Sequence, residues 1–348
     1  MTMPARITAL IAIALGTGPA LAQPLPAPAG PHLVTRSTAA MGTAVSVSVY
    51  TDDDVGANRA IENALDEIVR LERMMTTWRE DSEISRLNAA AGVGPVPISP
   101  ETMEVLEMAQ KASAWSGGAF DVTFYALRGL WKFDEDLEKK IPEATAVKER
   151  LPLVDWKALH LDRKKRTAML MHKGMAVNLG GIAKGYAVDR MAGILRRAGF
   201  GNALVQAGGD LLCAGAKGGK PWTAGIRDPR GTLKDVFAVI VLEDHAFSTA
   251  GDYERSFMLD GKRYHHILDP HTGAPARASR SVTVYAKNAL LADALDDAIF
   301  IMGWQRGFAM IDKIPDVGAV VVDADGAIHV SSRVQDRVRI LYTPKNDP

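Results

Sequence analysis

Residues 288–302 (NALLADALDDAIFIM) constrain the fold of this chain more than any other stretch. Leu291, Leu295, Ala298, Ile299 and Met302 recur at helical spacing on one face, and Phe300 and Ile301 carry apolar surface round to the other side. A helix apolar nearly all round has to be buried between other elements. Yet this one carries Asp293, Asp296 and Asp297, with no Lys or Arg anywhere in the run. Asp293 and Asp297, four residues apart, stack on one face. Buried carboxylates without partners are very costly. Two readings follow: a hard divalent cation such as Mg²⁺ on oxygen ligands, or an acidic edge that stays in water.

Composition narrows the class of protein. The 348 residues carry 41 Lys+Arg against 41 Asp+Glu, a net charge of zero that argues against a general nucleic-acid binder. Hydrophobic residues at 47% and charged residues at 24% exclude wholesale disorder. The length allows one large domain or two modest ones. Cys213 is the single cysteine, so neither an intrachain disulfide nor a cysteine metal cluster can form, and none of the eight histidines has HExxH spacing.

The first residues read as an address. Arg6, an apolar stretch over 7–15 and Ala20-Leu21-Ala22 make a secretory signal cut after Ala22, hence residues 1–22. With no cysteine after the apolar stretch and no twin arginine before it, the expectation is unfolded export to the periplasm without lipidation. The apolar stretch is too short for a permanent membrane anchor. Residues 23–32, proline-rich, read as an extended tether, leaving 33–345 as the folded part.

Along that part, 41–50 alternates Val45, Val47 and Val49 with serines, the period of a half-buried strand. Ile61, Leu65, Ile68 and Leu71 repeat helically to about Met75. Ser99-Pro100 starts a helix that runs to about Trp115, and Gly117-Gly118 stops it. Residues 134–150 are charged without an apolar face, a surface excursion. Strands at 158–162 and 167–171 flank a solvated basic turn at 163–166. Glycine-rich 177–185 opens into a helix over 186–198, and strands are expected at 203–206, 236–242, 263–268, 281–286, 318–322 and 337–342. Helices mixed with many short strands joined by Gly and Pro turns indicate an α+β architecture.

Two further segments carry chemistry. Asn178-Leu179-Gly180-Gly181-Ile182-Ala183-Lys184 places a glycine turn and a cation at a helix start, where a phosphate could sit. Tight loop packing explains the same glycines, and Gly208-Gly209-Asp210 is a similar, weaker signal. His266, at a strand-to-turn junction before Asp269-Pro270, is placed to orient a phosphate or move a proton, or else to serve as a structural donor.

Taken in order, Met41-Gly42-Thr43, residues 78–88 (WREDSEISRLN), Gly118-Ala119-Phe120-Asp121, 178–186, Gly208-Gly209-Asp210, 266–270 and 292–297 form a set of blocks whose chance agreement is implausible. From Leu33 to Tyr342 the chain resembles the ApbE family, the FAD:protein FMN transferases. The resemblance implies one compact, T-fold-like α+β unit of mixed or antiparallel sheets with packed helices, holding FAD as substrate in a cleft. It implies cofactor contacts from Met41, Trp78, Ala119, Phe120, Asp121, Asn178, Lys184, His266 and Ile267. It implies Mg²⁺ on Asp293 and Asp297 with the Gly181 carbonyl, Asp296 adding a third carboxylate beside them.

The chemistry implied is phosphoryl transfer. A Thr or Ser hydroxyl in the FMN-binding domain of an exported or membrane flavoprotein attacks the FMN-side phosphorus of FAD, and AMP leaves. His266, Lys184 and Asp293 would carry it, with His266 as base or orienting group. Three departures from the family pattern stand out: Asn178 for a usual Asp, Ala250 for a common Ser, and Asp296 for a frequent hydroxyl. Other outcomes are a periplasmic FAD-binding protein, an FAD pyrophosphatase using water, and a maturation factor dedicated to one respiratory complex. No nucleic acid or stable membrane insertion is expected.

Overall fold

The computed structural model describes residues 30–133 and 139–345, so the signal segment and most of the tether lie outside the described residues. Its frame is an eight-stranded sheet whose strands lie side by side in chain order: His32–Ala40, Thr43–Thr51, Ala203–Ala207, Asp210–Ala214, Ala246–Gly251, Ser279–Ala286, Gly318–Asp323 and Ile328–Val330. Every pairing is antiparallel, as the α+β expectation requires. The sheet is thus one meander, and apart from the segment after Ile328–Val330, which carries the strand Val338–Ile340, the other elements are inserted between its neighbours.

The helices are α1 (Asp54–Met75), α2 (Glu83–Ala89), α3 (Pro100–Ser116), α4 (Ala144–Arg150), α5 (Ala183–Arg197), α6 (Ala289–Met302) and α7 (Trp304–Ile311). Their ends follow local chemistry. Asp53 caps α1 by accepting from the Gly56 N–H at 2.8 Å, and Ser99 caps α3 with Pro100 behind it. Gly117, at φ 64°, closes α3 in the left-handed conformation. Four of these helices lie outside or at odds with a simple reading of the sequence. The short α2 begins inside the 78–88 block, α4 falls within the expected surface excursion at 134–150, α5 begins at Ala183 rather than Tyr186, and α7 follows directly on Gly303.

α6 packs on the strands Ala246–Gly251 and Ser279–Ala286 and is flanked by α3, α5 and α7. That position accounts for its all-round apolarity: Leu295, Ala298, Ile299 and Phe300 are fully buried. On the later strands, alternate residues serve two cores. Leu212, Val282, Val284, Ala319 and Val321 face the helices. Leu211, Cys213, Tyr285, Val320 and Val322 face a second sheet formed by Val338–Ile340, Val236–Leu242 and Trp222–Arg227. Cys213 is sealed inside that second core, and burial pushes its thiol up to about 12, so it is inert. Among the described residues no helix is long and apolar enough to cross a membrane.

Candidate active site

The site forms where the N-terminus of α5, the middle of α6 and two strand ends converge. Glycine makes the convergence possible. A Cβ on Gly185 would lie 2.7 Å from the Asp293 Cβ, so only glycine lets α5 approach α6 this closely. In that space the Gly185 N–H donates to Asp293 Oδ2 at 2.8 Å. The start of α6 is held from α5 as well: Asp189 accepts from the Ala289 and Leu290 N–H groups at 2.8 and 2.9 Å, satisfying two donors of its first turn.

Lys184 lies at the centre. Its ammonium is 3.0 Å from Asp210 Oδ2, 3.4 Å from Asp293 Oδ1 and 3.3 Å from the Gly180 carbonyl oxygen. Asp210 opens its strand directly after the Gly208-Gly209 turn and is 1% exposed. Ser248 Oγ lies 2.6 Å from both Asp210 Oδ1 and Asp296 Oδ2. One hydroxyl proton serves one acceptor, so the second short contact requires a proton on a carboxyl. Asp296 is the candidate, because burial and the nearby Asp297, Asp293 and Asp210 hold its carboxyl well above the usual range.

One ammonium therefore faces the carboxyl groups of Asp210, Asp293 and Asp297, with the protonated Asp296 beside them. Burial raises the Asp293 carboxyl to about 7, with Asp210 adding to the shift and Lys184 and the Gly185 N–H opposing it. Asp297, half-buried, is raised to about 6 by burial, against the pull of Lys184. Burial works to lower the Lys184 pKa, but Asp210, Asp293 and Asp296 outweigh it and hold the ammonium above the ordinary lysine value. An excess of buried negative charge of this kind is what a bound cation relieves.

Gly181 supplies the matching cradle. A Cβ there would sit 2.7 Å from Asp297 Oδ2 and 3.6 Å from Phe120, so the loop backbone faces that carboxylate with no side chain between them. Among the described residues no three His, Cys, Asp or Glu side chains form a metal cage by themselves. The Asp293–Asp297 pair needs a main-chain oxygen and outside ligands to complete a shell, a donor set that suits Mg²⁺.

Several expected residues meet around this centre. Met41 and Gly42 form a two-residue hairpin turn with φ 51° and 72°; Met41 is an unusual residue for that conformation, and its N–H donates to Glu72 at 2.8 Å. The turn adjoins Asp210 because the Gly208 N–H bonds the Ala44 carbonyl at 3.0 Å. Asn178 reaches Thr77 Oγ1 at 3.2 Å and accepts from the Gly180 N–H at 2.7 Å, tying the Trp78 turn to the glycine loop. Trp78 itself stands 89% exposed. His266, half-buried, lies within electrostatic reach of Lys184. Burial, His265 and Arg255 push its imidazole down to about 4, and its Nδ1 has no hydrogen-bond partner among the described residues. An imidazole this weakly basic is neutral at pH 7 and suits orienting a hydroxyl better than removing its proton.

Four other expected contacts have side chains that are engaged or enclosed by the protein itself. Asp121 is a structural cap whose oxygens accept from Thr123 N–H and Oγ at 2.8 and 2.7 Å and from the Trp156 N–H at 3.0 Å, leaving no free edge for a cofactor. The Ile267 side chain is 4% exposed in the core, and Ala119 is 2% exposed, so neither side chain offers a surface to a ligand. Asp296 has both oxygens engaged, one by Ser248 and the other by the Asp297 N–H, each at 2.6 Å. In the other direction, Asp210 and Ser248 were absent from the expected site; the glycine pair before Asp210 was their only local signal.

Residues 41–321 match the model of the ApbE family. The FAD:protein FMN transferase of Treponema pallidum is 34% identical over 323 residues, covering 88% of this chain and 89% of that one. The ApbE protein of Thermotoga maritima superposes with a TM-score of 0.81 at 35% identity, over 88% of this chain and all of that one. The flavin transferase ApbE of Vibrio cholerae superposes at 0.76 with 30% identity, over 88% and 99%. With the matched segment running from the Met41 turn through α6 to the strand Gly318–Asp323, the chain belongs to the ApbE family.

Proposed function

We infer that this chain is a Mg²⁺-dependent FAD:protein FMN transferase. The observation that carries the reading is one ammonium paired with the buried Asp210 and Asp293 carboxylates, beside a side-chain-free cradle at Gly181 that faces Asp297 and a half-buried neutral imidazole. Asp293, Asp297 and the Gly181 carbonyl would hold Mg²⁺, which when bound neutralises charge on the pyrophosphate of FAD. Trp78, exposed and next to Thr77, which Asn178 ties to the glycine loop, stacks on an aromatic ring of the cofactor. Lys184 stabilises the charge that develops on the transferring phosphoryl group.

In the reaction, a Thr or Ser hydroxyl of an acceptor protein forms a new P–O bond to the FMN-side phosphorus. The bridging P–O bond breaks, AMP leaves with the bridging oxygen, and the hydroxyl proton passes to solvent. His266 accepts a hydrogen bond from the attacking hydroxyl and aligns it. The signal-like residues 1–22 support an acceptor among exported or membrane flavoproteins of the periplasm.

The test is AMP release from FAD by the purified protein, with Mg²⁺ or EDTA, and with an FMN-binding acceptor domain present or absent. Acceptor-dependent AMP with covalent labelling of the acceptor is expected, and Asp297→Asn should lower both by at least ~100-fold. AMP without labelling would make the protein an FAD pyrophosphatase. FAD bound without AMP under any condition would leave a flavin carrier.

A further inference from the structure

Lys184 engages three groups at once, the carboxylates of Asp210 and Asp293 and the Gly180 carbonyl, and an ammonium has three donors. One of these partners, Asp293, is also a ligand in the metal site proposed above, on which this inference rests. Asp210 is not among the proposed metal ligands. It makes the shorter ion pair, and Ser248 holds its other oxygen from the neighbouring strand at 2.6 Å. Ser248 is itself pinned, because its hydroxyl also meets Asp296 on α6. The anchoring of Asp210 is therefore rigid, whereas Lys184 has a flexible four-carbon stem.

We propose that Lys184 is a built-in competitor for the metal, neutralising Asp293 while the cation is away, and that the Ser248–Asp210 pair is the rest position that draws the ammonium aside when the cation binds. Leaving Asp293 frees one ammonium donor, which then points into the site and becomes available to a phosphate oxygen. Ser248 touches neither metal nor substrate in this scheme. It acts through Asp210 and Lys184 as a positioning residue, and carries no charge of its own.

That neutrality makes the scheme testable apart from simple electrostatics. The measurement is binding of Mn²⁺ alone to the full chain, without FAD, followed by the electron paramagnetic resonance signal of free Mn²⁺. Lys184→Met should bind Mn²⁺ more tightly than the unmodified protein. Ser248→Ala should bind it roughly fivefold more weakly, the low end of ordinary coupling between sites, and Ser248→Thr, which keeps the hydroxyl, should restore the affinity. In the Lys184→Met background, Ser248→Ala should have no further effect, because Asp210 then has no lysine to hold.

Unchanged affinity in Ser248→Ala, or an effect that persists without Lys184, would overturn the proposal. If Ser248→Ala does not fold, Lys184→Met decides by itself, and equal or weaker Mn²⁺ binding refutes the competition. No Mn²⁺ binding by the unmodified protein would instead sink the metal reading, and this inference with it.

Discussion

Alanine at position 185 and alanine at position 193 are the same substitution on the same helix, and they should change stability in opposite directions. Both glycines lie inside α5, where alanine gains about 0.8–1 kcal/mol of helix propensity. At Gly193 the new Cβ meets only the end of the flexible Arg197 side chain, at 3.3 Å, so most of that gain should appear. At Gly185 it would overlap the Ala289 carbonyl oxygen and lie 2.7 Å from both the carbonyl carbon and the Asp293 Cβ. Carbon atoms settle near 3.5 Å or beyond, so α5 and α6 must part by close to ~1 Å. Overpacking of this kind costs about 1–3 kcal/mol. The Gly185 N–H bond to Asp293, 2.8 Å long, stretches with it, and bonds to charged groups contribute about 1.5–3 kcal/mol. Net of propensity, Gly185→Ala should lose about 2–4 kcal/mol while Gly193→Ala gains up to ~1 kcal/mol. Equilibrium urea denaturation measures both, with unchanged slopes as the check on two-state behaviour. A Gly185→Ala protein as stable as the parent would refute the claim that α5–α6 contact depends on that glycine.

Other consequences follow from exposure, backbone strain and titration. Trp78→Ala should leave stability within about 0.5 kcal/mol, because the ring is 89% exposed, and raise the KM for FAD up to roughly tenfold through lost stacking; a fall in Tm with KM unchanged would contradict a binding role. Met41→Gly relieves a left-handed φ of 51° and should be stability-neutral or gain up to ~1 kcal/mol while FAD binds more weakly, as read by flavin fluorescence. Tighter FAD binding in that variant would argue against the turn as a contact. Raised folded-state pKa values mean that the fold holds protons the unfolded chain has lost. Without metal, Asp293 and Asp297 therefore make the fold less stable as pH climbs from about 4 through their values of about 7 and about 6. A metal on those carboxylates displaces the protons, so the rise in Tm produced by Mg²⁺ should grow between pH 5.5 and 7.5 and then level; a rise independent of pH would place the cation elsewhere.

Elements with a strong local pattern were legible in the chain. The all-round apolarity of α6 demanded a central position, and it lies between the sheet and three helices. Alternating valines marked the strand Thr43–Thr51, and Ser99-Pro100 with Gly117 bounded α3 closely. The strand Asp210–Ala214 escaped because both its faces are buried, so it shows no alternation, and Ala246–Gly251 is nearly as enclosed. Helix α2 is too short and polar to show a face. Met41 was identified only through family resemblance, since methionine is an unlikely residue for a turn with positive φ.

Charge and spacing put Asp293 and Asp297 on one helical face, glycine and lysine at a helix start, and His266 at a strand end, all from residues near one another in the chain. Tertiary structure decided what those groups meet. It put Asp210 against Lys184, bridged Asp210 to Asp296 through Ser248, and turned Asp121 into a cap. The physical reason is range: periodicity and turn chemistry act over a few residues, whereas the site closes only when the meander brings Thr43–Thr51, Ala203–Ala207, Asp210–Ala214 and Ala246–Gly251 side by side across long insertions.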